Sequence, residues 1–221
     1  MSYKIIQCVD KADWLEQRKQ VITSTEVSAL FGCNPYMTRG QLFAQKFTQI
    51  FPERRVTPAM QAGLDEEASI ARAVANMKGW EAKAFPNWMF ARMKGHLLGS
   101  SYDWVVKDQY GLCPDEVKKI HWGAMGRNWQ QSGGRVIRVP IHIEFQLQTE
   151  MGVCGFDRLK LSVKCGEGWY LWGEWTFNPH MWRLIVDKTD EAWDCIRAAK
   201  LPEEAMRTKV WRKYKQKQLA A

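Results

Sequence analysis

The order in which helix and strand patterns follow one another constrains the fold of this chain more than any other feature. The first third has helix signals: residues 23–26 and 38–41 fit capping boxes, and a longer helix has Pro58 near its first turn and Gly79 just past its end. The pattern then changes to short runs separated by Gly, Pro or Asp, which predict strands. The predicted strands are 80–85, 87–93, 97–107, 116–120, 156–164 and 169–177.

Two further helices complete this order and define the predicted fold class. One runs from Ile141 to about Val153, between the fourth and fifth strands, and the other begins near Pro179 and ends near Lys200. This arrangement indicates an α/β (α+β) fold in which one central mixed β-sheet is flanked by helices. The length of 221 residues suits one domain, and no linker or repeat divides it, so we expect a single domain over residues 1–221.

The charge of the chain favours a polyanionic partner, of which nucleic acid is the commonest. The sequence has 32 Lys and Arg against 24 Asp and Glu, a net charge of +8. Its C-terminal segment, residues 201–221, is a basic tail or helix. The stretch from Arg207 to Lys217 also contains Trp211 and Tyr214, and it is either a solvated helix or a nucleic-acid contact.

Other features exclude whole classes of protein. No apolar run approaches the roughly 18 residues of a membrane span, and the first residues lack the apolar core of a signal peptide, so we expect a cytoplasmic protein without a membrane partner. The six cysteines are too far apart for zinc-finger or iron–sulfur spacing, and the four histidines show no ligand spacing. The twelve tryptophans are expected mainly to fill the core or a subunit interface.

One pattern of charged residues could support catalysis. Glu116 and Lys118 are two apart on a predicted strand, so they share one face of the sheet. If the strand of Asp103 pairs with this one, two carboxylates meet, and they could hold a hard cation such as Mg²⁺, with Glu67 from the neighbouring helix completing the shell. Alone, these spacings also arise by chance, and Glu67 also fits a solvated helix face.

Seven short motifs in a defined order carry a family resemblance. They are Trp14-x3-Arg18, Ile22-Thr-Ser-Thr-Glu26, Gly32-Cys-Asn-Pro-Tyr36, Met60-x2-Gly63-x3-Glu67, Ser101-x-Asp103, Glu116-x-Lys118 and Gln146-x-Gln148. Together they resemble the lambda-exonuclease and YqaJ-type viral recombinase branch of the PD-(D/E)xK nucleases, which includes phage alkaline exonucleases. The resemblance spans residues 14 to about 155 and implies a restriction-endonuclease-like PD-(D/E)xK core.

The resemblance also implies a metal site. Asp103 and Glu116 would be the metal carboxylates, and the backbone carbonyl of Val117 would be a further ligand. Glu67 would support a second metal, with Glu66 as the alternative if the helix register differs. The implied cofactor is Mg²⁺, and Mn²⁺ could replace it.

Further roles follow position by position from the same resemblance. Lys118 would act on the attacking water, and Gln146 would lie near the metal. Arg18 corresponds to an arginine that grips the 5′-phosphate of a DNA end, and Thr25 and Ser101 correspond to hydroxyl groups that assist it.

The sequence departs from the family pattern at three positions. Tyr102 and Trp104 stand where Pro and Gly are usual around the aspartate, and Thr25 stands where Ser is common. The loss of Pro and Gly changes the turn chemistry beside Asp103, although we expect the metal ligand to be retained. Trp104 could pack beside DNA, but we expect it to be buried in the sheet.

The implied activity is a metal-dependent 5′→3′ exodeoxyribonuclease that digests one strand of linear double-stranded DNA. It would leave a 3′ single strand for phage homologous recombination. The implied assembly is a homotrimeric ring that encloses DNA, and the implied partner is a phage single-strand annealing protein. The protein would be phage- or prophage-encoded and act in the bacterial host cytoplasm.

Three alternatives remain open from the sequence. An endonuclease of the same superfamily would have the same metal site. A non-catalytic basic DNA-binding protein would rest on the net charge and the C-terminal Lys/Arg run. An iron–sulfur nuclease is disfavoured by the cysteine spacing.

Overall fold

Two β-sheets, rather than one, contain the strands in the part of the chain that the structure describes. The computed structural model describes residues 3–52, 56–86 and 89–219. The strands are β1 Tyr3–Gln7, β2 Ile22–Thr23, β3 Glu81–Ala84, β4 Met89–Met93, β5 Leu98–Ser100, β6 Trp104–Asp108, β7 Gly111–Ile120, β8 Gln130–Ser132, β9 Arg135–Arg138, β10 Arg158–Cys165 and β11 Trp169–Thr176. The helices are α1 Lys11–Lys19, α2 Ser24–Leu30, α3 Arg39–Thr48, α4 Pro58–Lys78, α5 Ile141–Cys154, α6 Pro179–Arg197, α7 Glu203–Met206 and α8 Lys209–Leu219, and a short 3-10 helix spans Trp122–Ala124.

The larger sheet is the central mixed sheet that the sequence predicts. In the described part of the chain its order is β3-β6-β7-β10-β11-β9-β8. β10 is parallel to β7 and β9 is parallel to β11, whereas the other neighbours are antiparallel. Helix α5 packs on one face and α4 on the other. The predicted α/β class, with a mixed sheet between helices, is therefore confirmed.

A smaller sheet, ordered β1-β4-β5-β2, takes up part of what the sequence predicted as one long strand. The prediction of a continuous strand over residues 97–107 was wrong. Its first part, β5, pairs with β4 and β2, whereas its second part, β6, pairs with β3 and β7. The backbone must leave one sheet and enter the other, so residues 101–103 are in neither.

Tyr102 fixes this crossing by burial. Its ring packs at an angle against Phe85 and Phe156, with centroids 5.2 and 6.3 Å away. Its hydroxyl donates a hydrogen bond to the backbone carbonyl of Glu150 on α5, at 2.8 Å. Tyr102, which stands where Pro is usual in the family, therefore anchors the crossing between the two sheets to α5.

Strands β1, β2, β8 and β9 were not predicted. β1 was missed, as was the β8–β9 hairpin, although Gly133 and Gly134 do close its turn, with φ of +57° and +80°. β7 begins at Gly111 and not at residue 116. Of the strand predicted over 87–93, residues 87 and 88 lie outside the described residues, as do residues 220 and 221 of the basic C-terminal segment.

The helix boundaries follow the capping signals closely. The Thr23 N–H donates to the Glu26 carboxylate at 2.9 Å, and the Thr38 N–H donates to Gln41 Oε1 at 2.8 Å, so both capping boxes are confirmed. Gly79 ends α4 in the left-handed conformation, at φ +68°. None of the helices in the described ranges is long and apolar enough to cross a membrane.

The contact between α5 and α6 leaves no room for a side chain at Gly152. A Cβ placed there would overlap the indole of Trp182, which is 4% exposed. We expect Gly152→Ala to destabilise the fold by about 1–3 kcal/mol, because a packed ring must move. Gly63→Ala on α4 is the matched control, since a Cβ at that position would have no neighbour within 4 Å. Removing a helix glycine there should stabilise the fold by about 0.5–1 kcal/mol. Urea unfolding of both variants measures the difference, and equal values would contradict this packing.

Candidate active site

Asp103 lies where the chain enters the large sheet. In the antiparallel ladder of β6 and β7, Trp104 faces Asp115, so one further step of this register places Asp103 opposite Glu116. Because β6 begins only at Trp104, the Val117 N–H has no strand partner on that side. The Asp103 carboxylate takes this position and accepts the Val117 N–H at 3.0 Å. The predicted pairing of Asp103 with the strand of Glu116 is therefore present.

Glu116 and Lys118 share the face of the sheet that α5 covers. Their neighbours on β10, Leu161 and Val163, point into the apolar cluster between that face and α5. Glu116 is 3% exposed, and its carboxylate is paired directly with the Lys118 ammonium. Gln146 on α5 donates its side-chain amide to Glu116 Oε1 at 2.6 Å. The structure thus brings these three predicted residues into contact.

The backbone of Val117 faces the same opening as Asp103. In an extended strand the N–H and C=O of one residue point to the same side. The Ile120 carbonyl accepts from Gly166 beyond the end of β10, so alternate residues of β7 direct their backbone groups to β10 and the others direct them away. Because the Val117 N–H reaches Asp103, the Val117 carbonyl also points toward the open side, beside the two carboxylates.

The two neighbouring glutamates of α4 point in different directions. Glu66 binds the ammonium groups of Lys119 and Lys164, and their hydrogen bonds lower the pKa of Glu66. Glu67 lies instead beside the Trp104 indole and within the field of Glu116 and Lys118. Burial raises the pKa of Glu67, although the hydrogen bond from Trp104 opposes the rise. Glu67, and not Glu66, is the α4 carboxylate that faces the group around Glu116.

This group contains more negative charge than its one ammonium can balance. Burial and then the Glu116 charge raise the pKa of Asp103 well above its ordinary value. For Lys118 burial acts to lower the pKa, but the carboxylates of Glu116 and Asp103 outweigh it and raise the pKa. The lysine therefore stays protonated, and a further positive charge would stabilise the ionised carboxylates.

Glu150 is a buried carboxylate that the sequence reasoning missed. Its Oε1 accepts the second amide hydrogen of Gln146 at 2.9 Å, and its Oε2 has no hydrogen-bond partner in the described chain. Burial and then the charge of Glu116 raise the pKa of Glu150 well above its usual range. Glu150 follows Gln146 by one helical turn, so the i,i+4 spacing placed it on the same face of α5 and could have identified it.

The donor set fits a hard divalent cation. The oxygen atoms of Asp103 and Glu116, with the Val117 carbonyl between them, are the ligands that Mg²⁺ prefers, and Glu150 Oε2 is an unpaired buried acceptor close by. Among the described residues no three His, Cys, Asp or Glu side chains are gathered tightly enough to hold a metal by themselves. A bound ion would therefore also need backbone and water ligands, which Mg²⁺ commonly retains.

A second cluster of predicted residues lies immediately before Asp103 in the chain. Ser101 Oγ lies 3.4 Å from Arg18 Nη1 and accepts the indole N–H of Trp14 at 3.2 Å. The Arg18 guanidinium stacks over the Trp14 ring, 4.4 Å from its centroid. Thr25 is exposed at the start of α2, which enters from β2, and β2 pairs with β5 just before Ser101. Arg18, Thr25 and Ser101 therefore belong to one neighbourhood.

Two residues near the site have structural contacts instead. Asp115 directly precedes Glu116, but it points to the opposite face of the sheet and accepts the Ser162 hydroxyl at 2.8 Å. Burial raises the pKa of Asp115 to about 7. Trp104 is 4% exposed and packs with Ile70 and Val117, so it is buried, as expected, beneath α4.

The raised pKa of Glu150 predicts a pH-dependent loss of stability. Its folded form retains a proton that the unfolded chain releases above about pH 4.3. The contribution of Glu150 to the free energy of unfolding is therefore constant below that pH. It falls by at most about 1.4 kcal/mol per pH unit as the pH rises toward the pKa of Glu150 in the folded protein. Because Gln has no proton to release, Glu150→Gln should gain stability relative to wild type as the pH increases.

Urea unfolding at several pH values, with EDTA present, measures this difference. Glu167→Gln is the control, because Glu167 is exposed in the turn before β11. If the stability gap between Glu150→Gln and wild type does not change with pH, Glu150 is ionised in the folded protein.

The chain is similar to known proteins in sequence and in fold. The family model described as the YqaJ-like viral recombinase domain matches residues 13–157. The chain is similar in fold to the crystal structure of an alkaline exonuclease, LHK-Exo, from Laribacter hongkongensis, with a TM-score of 0.64 and 13% identity over 96% of this chain and 100% of that one. The complex of LHK-Exo with dAMP gives a TM-score of 0.65 and 12% identity over the same shares. No curated protein matches the sequence significantly.

The fold shared with LHK-Exo is of the PD-(D/E)xK type, as the sequence motifs predicted. The matched residues 13–157 include Arg18, Glu67, Asp103, Glu116 and Gln146. This match covers most of the chain, and the protein therefore belongs to the YqaJ-like viral recombinase domain family.

Proposed function

We propose that this protein is a metal-dependent exodeoxyribonuclease that digests one strand of linear double-stranded DNA from its 5′ end. The observation that carries the proposal is the placement of two clusters side by side. Ser101 contacts Arg18 in the first, and Asp103 joins Glu116 and Lys118 in the second. Two residues of chain span at most about 7 Å, so the clusters could bind neighbouring phosphates of one strand. Family membership and the fold shared with an alkaline exonuclease support the proposal.

The ligands of one Mg²⁺ or Mn²⁺ ion would be the carboxylates of Asp103 and Glu116 and the backbone carbonyl of Val117. Glu67 would support a second ion. When bound, such an ion polarises the phosphate and lowers the pKa of a water molecule. Gln146 keeps Glu116 in place through its amide hydrogen bond. The neighbouring Glu150 accepts the other amide hydrogen, which fixes the amide group with its nitrogen toward Glu116.

Lys118 would act as a cation. The neighbouring carboxylates raise its pKa, so the ammonium group persists at neutral pH. It can orient the attacking water and stabilise the negative charge that develops on the phosphate. The water oxygen bonds to phosphorus as the water gives up a proton to solvent, the bond to the 3′ oxygen breaks, and that oxygen takes up a proton and leaves as a hydroxyl.

The Arg18 cluster would give the enzyme its polarity. A guanidinium group and hydroxyl groups are suited to binding a terminal phosphate. If Arg18, Thr25 and Ser101 bind the 5′-phosphate, the bond cut releases one mononucleotide and leaves a new 5′-phosphate for the next cycle. LHK-Exo has been solved with the mononucleotide dAMP, which supports a product of this class.

The remaining 3′ strand would serve single-strand annealing during phage recombination. Within this proposal the protein is a homotrimeric ring around DNA and partners a phage annealing protein. It would act in the cytoplasm of a bacterial host from a phage or prophage gene. Measurement of the molar mass by light scattering tests the trimer.

Digestion of a 5′-phosphorylated linear duplex beside a covalently closed circle tests the activity. We expect loss of the linear DNA alone, and only with Mg²⁺ or Mn²⁺. Asp103→Asn should lower the rate by about 10²-fold or more, because it removes a negative ligand beside the scissile phosphate. Asp115→Asn is the matched control, since Asp115 faces away and bonds Ser162.

The outcome separates the proposed exonuclease from its alternatives. Cutting of the circle would identify an endonuclease. Intact DNA under all metal conditions, with binding preserved, would leave a non-catalytic DNA-binding protein.

Arg18→Ala should remove most of the preference for a phosphorylated 5′ end. The loss of a charge-assisted hydrogen bond is worth about 1.5–3 kcal/mol, which corresponds to about 10–100-fold in the ratio of kcat/KM between phosphorylated and hydroxyl ends. Lys19→Ala is the control, because Lys19 follows Arg18 in the chain but its ammonium pairs with Glu16. Equal digestion of both ends by wild type would show that Arg18 has no such role.

A further inference from the structure

Helix α8 presents an unusually uniform positive face. Its eleven residues include five cations and no Asp or Glu. The cations are all exposed: Lys209, Arg212, Lys213, Lys215 and Lys217. In the described part of the chain none of the five lies in an ion pair with a carboxylate. The nearby carboxylates pair with other residues: Glu203 binds Arg207, and Glu204 Oε1 lies 3.6 Å from Arg39 Nη1.

The opposite face of α8 fixes the helix to the body of the protein. Val210 is 7% exposed, and the rings of Trp211 and Tyr214 pack on Phe47 of α3 with centroids 5.7 and 6.0 Å away. The preceding α7 approaches α3 so closely that a Cβ on Gly40 would lie 2.7 Å from a backbone oxygen of Glu204. The basic segment is therefore a docked helix, and its cations are displayed on a supported surface.

The end of α3 links α8 to the segment that contains Arg18. α7 lies beside Gly40 at the start of α3, and Tyr214 contacts Phe47 near the end of α3, so α8 runs along α3 toward that end. There Lys46, the residue before Phe47, donates to the backbone carbonyl of Arg18 at 3.1 Å. The last turns of α3 therefore contact both α8, through Phe47, and the backbone of Arg18, through Lys46.

We propose that the exposed face of α8 binds the sugar–phosphate backbone of duplex DNA next to the 5′ end held by Arg18. This inference rests on the proposed function and extends it to a surface outside the family match, which ends at residue 157. Duplex DNA carries about one charge per 1.7 Å, and a helix of eleven residues is about 16 Å long, so several phosphates come within its reach. Lysines bind phosphate as mobile point charges, which suits contact without sequence preference.

The salt dependence of DNA binding tests this surface. The triple variant Lys213→Gln, Lys215→Gln, Lys217→Gln is compared with its parent in a Lys118→Ala background with EDTA, so that the DNA stays intact. Each lost phosphate contact reduces the slope of log K against log salt by about 0.9, so we expect a reduction of about 2–3. In chains with Lys118 intact, KM for linear duplex should rise while kcat at saturating DNA stays within about twofold.

A matched control removes three exposed cations elsewhere: Lys83→Gln, Lys94→Gln and Arg183→Gln. Its slope should change by less than half as much as that of the α8 variant. Equal changes in the two triple variants would attribute the effect to net charge and overturn the proposal, as would an unchanged slope in the α8 variant. A changed molar mass with an unchanged slope would assign α8 to a subunit contact and also overturn it. Because binding is measured without cleavage, absence of nuclease activity in wild type would contradict the proposed function and leave this test intact.

Discussion

The hydrogen bond from the Val117 N–H to Asp103 is the contact on which the site depends. The chain leaves the small sheet after Ser100 and enters the large sheet at Trp104, so β7 continues past the end of its neighbour. An unpaired buried N–H costs about as much as a lost hydrogen bond, and the Asp103 carboxylate removes that cost. The same contact places Asp103 beside Glu116. The break between the two sheets thus leaves the Val117 N–H to Asp103, and this hydrogen bond brings the carboxylates of Asp103 and Glu116 together.

The assembled group is electrostatically unfavourable without a further cation. Asp103 and Glu150 are buried carboxyl groups with raised pKa values, and burial is the first cause of each shift. Lys118 offsets part of their charge, and Gln146 joins Glu116 to Glu150 through both of its amide hydrogens. Such clusters of perturbed groups occur where function requires them, because an apolar core would be more stable. A divalent cation would reduce the repulsion between these carboxylates, so metal binding would also stabilise the site.

An ion-pair cluster on α4 helps to direct the side chain of Glu67. Glu66 is held by Lys119 of β7 and Lys164 of β10, and this fixes the rotation of the helix over the sheet. Successive residues of an α-helix point about 100° apart, so the next residue is directed to a different place. Glu67 accordingly faces Trp104 and the edge of the carboxylate group. Because the sheet lysines bind Glu66, the adjacent Glu67 is the glutamate that faces the carboxylate group.

Features that depend on neighbours along the chain could be predicted from the amino-acid sequence. Capping residues defined the starts of α2 and α3, Gly79 ended α4, and alternation placed Glu116 and Lys118 on one face. The ordered motifs carried the family, whereas the roles of the site residues remain proposals. Features that depend on partners far away in sequence arose only from packing. β1 was invisible because its partner β4 lies more than 80 residues further along the chain, and the break at residues 101–103 exists only because β5 and β6 pair with different strands. The i,i+4 spacing puts Glu150 and Gln146 on one face of α5, but only the packing of α5 across β7 brings that face to Glu116.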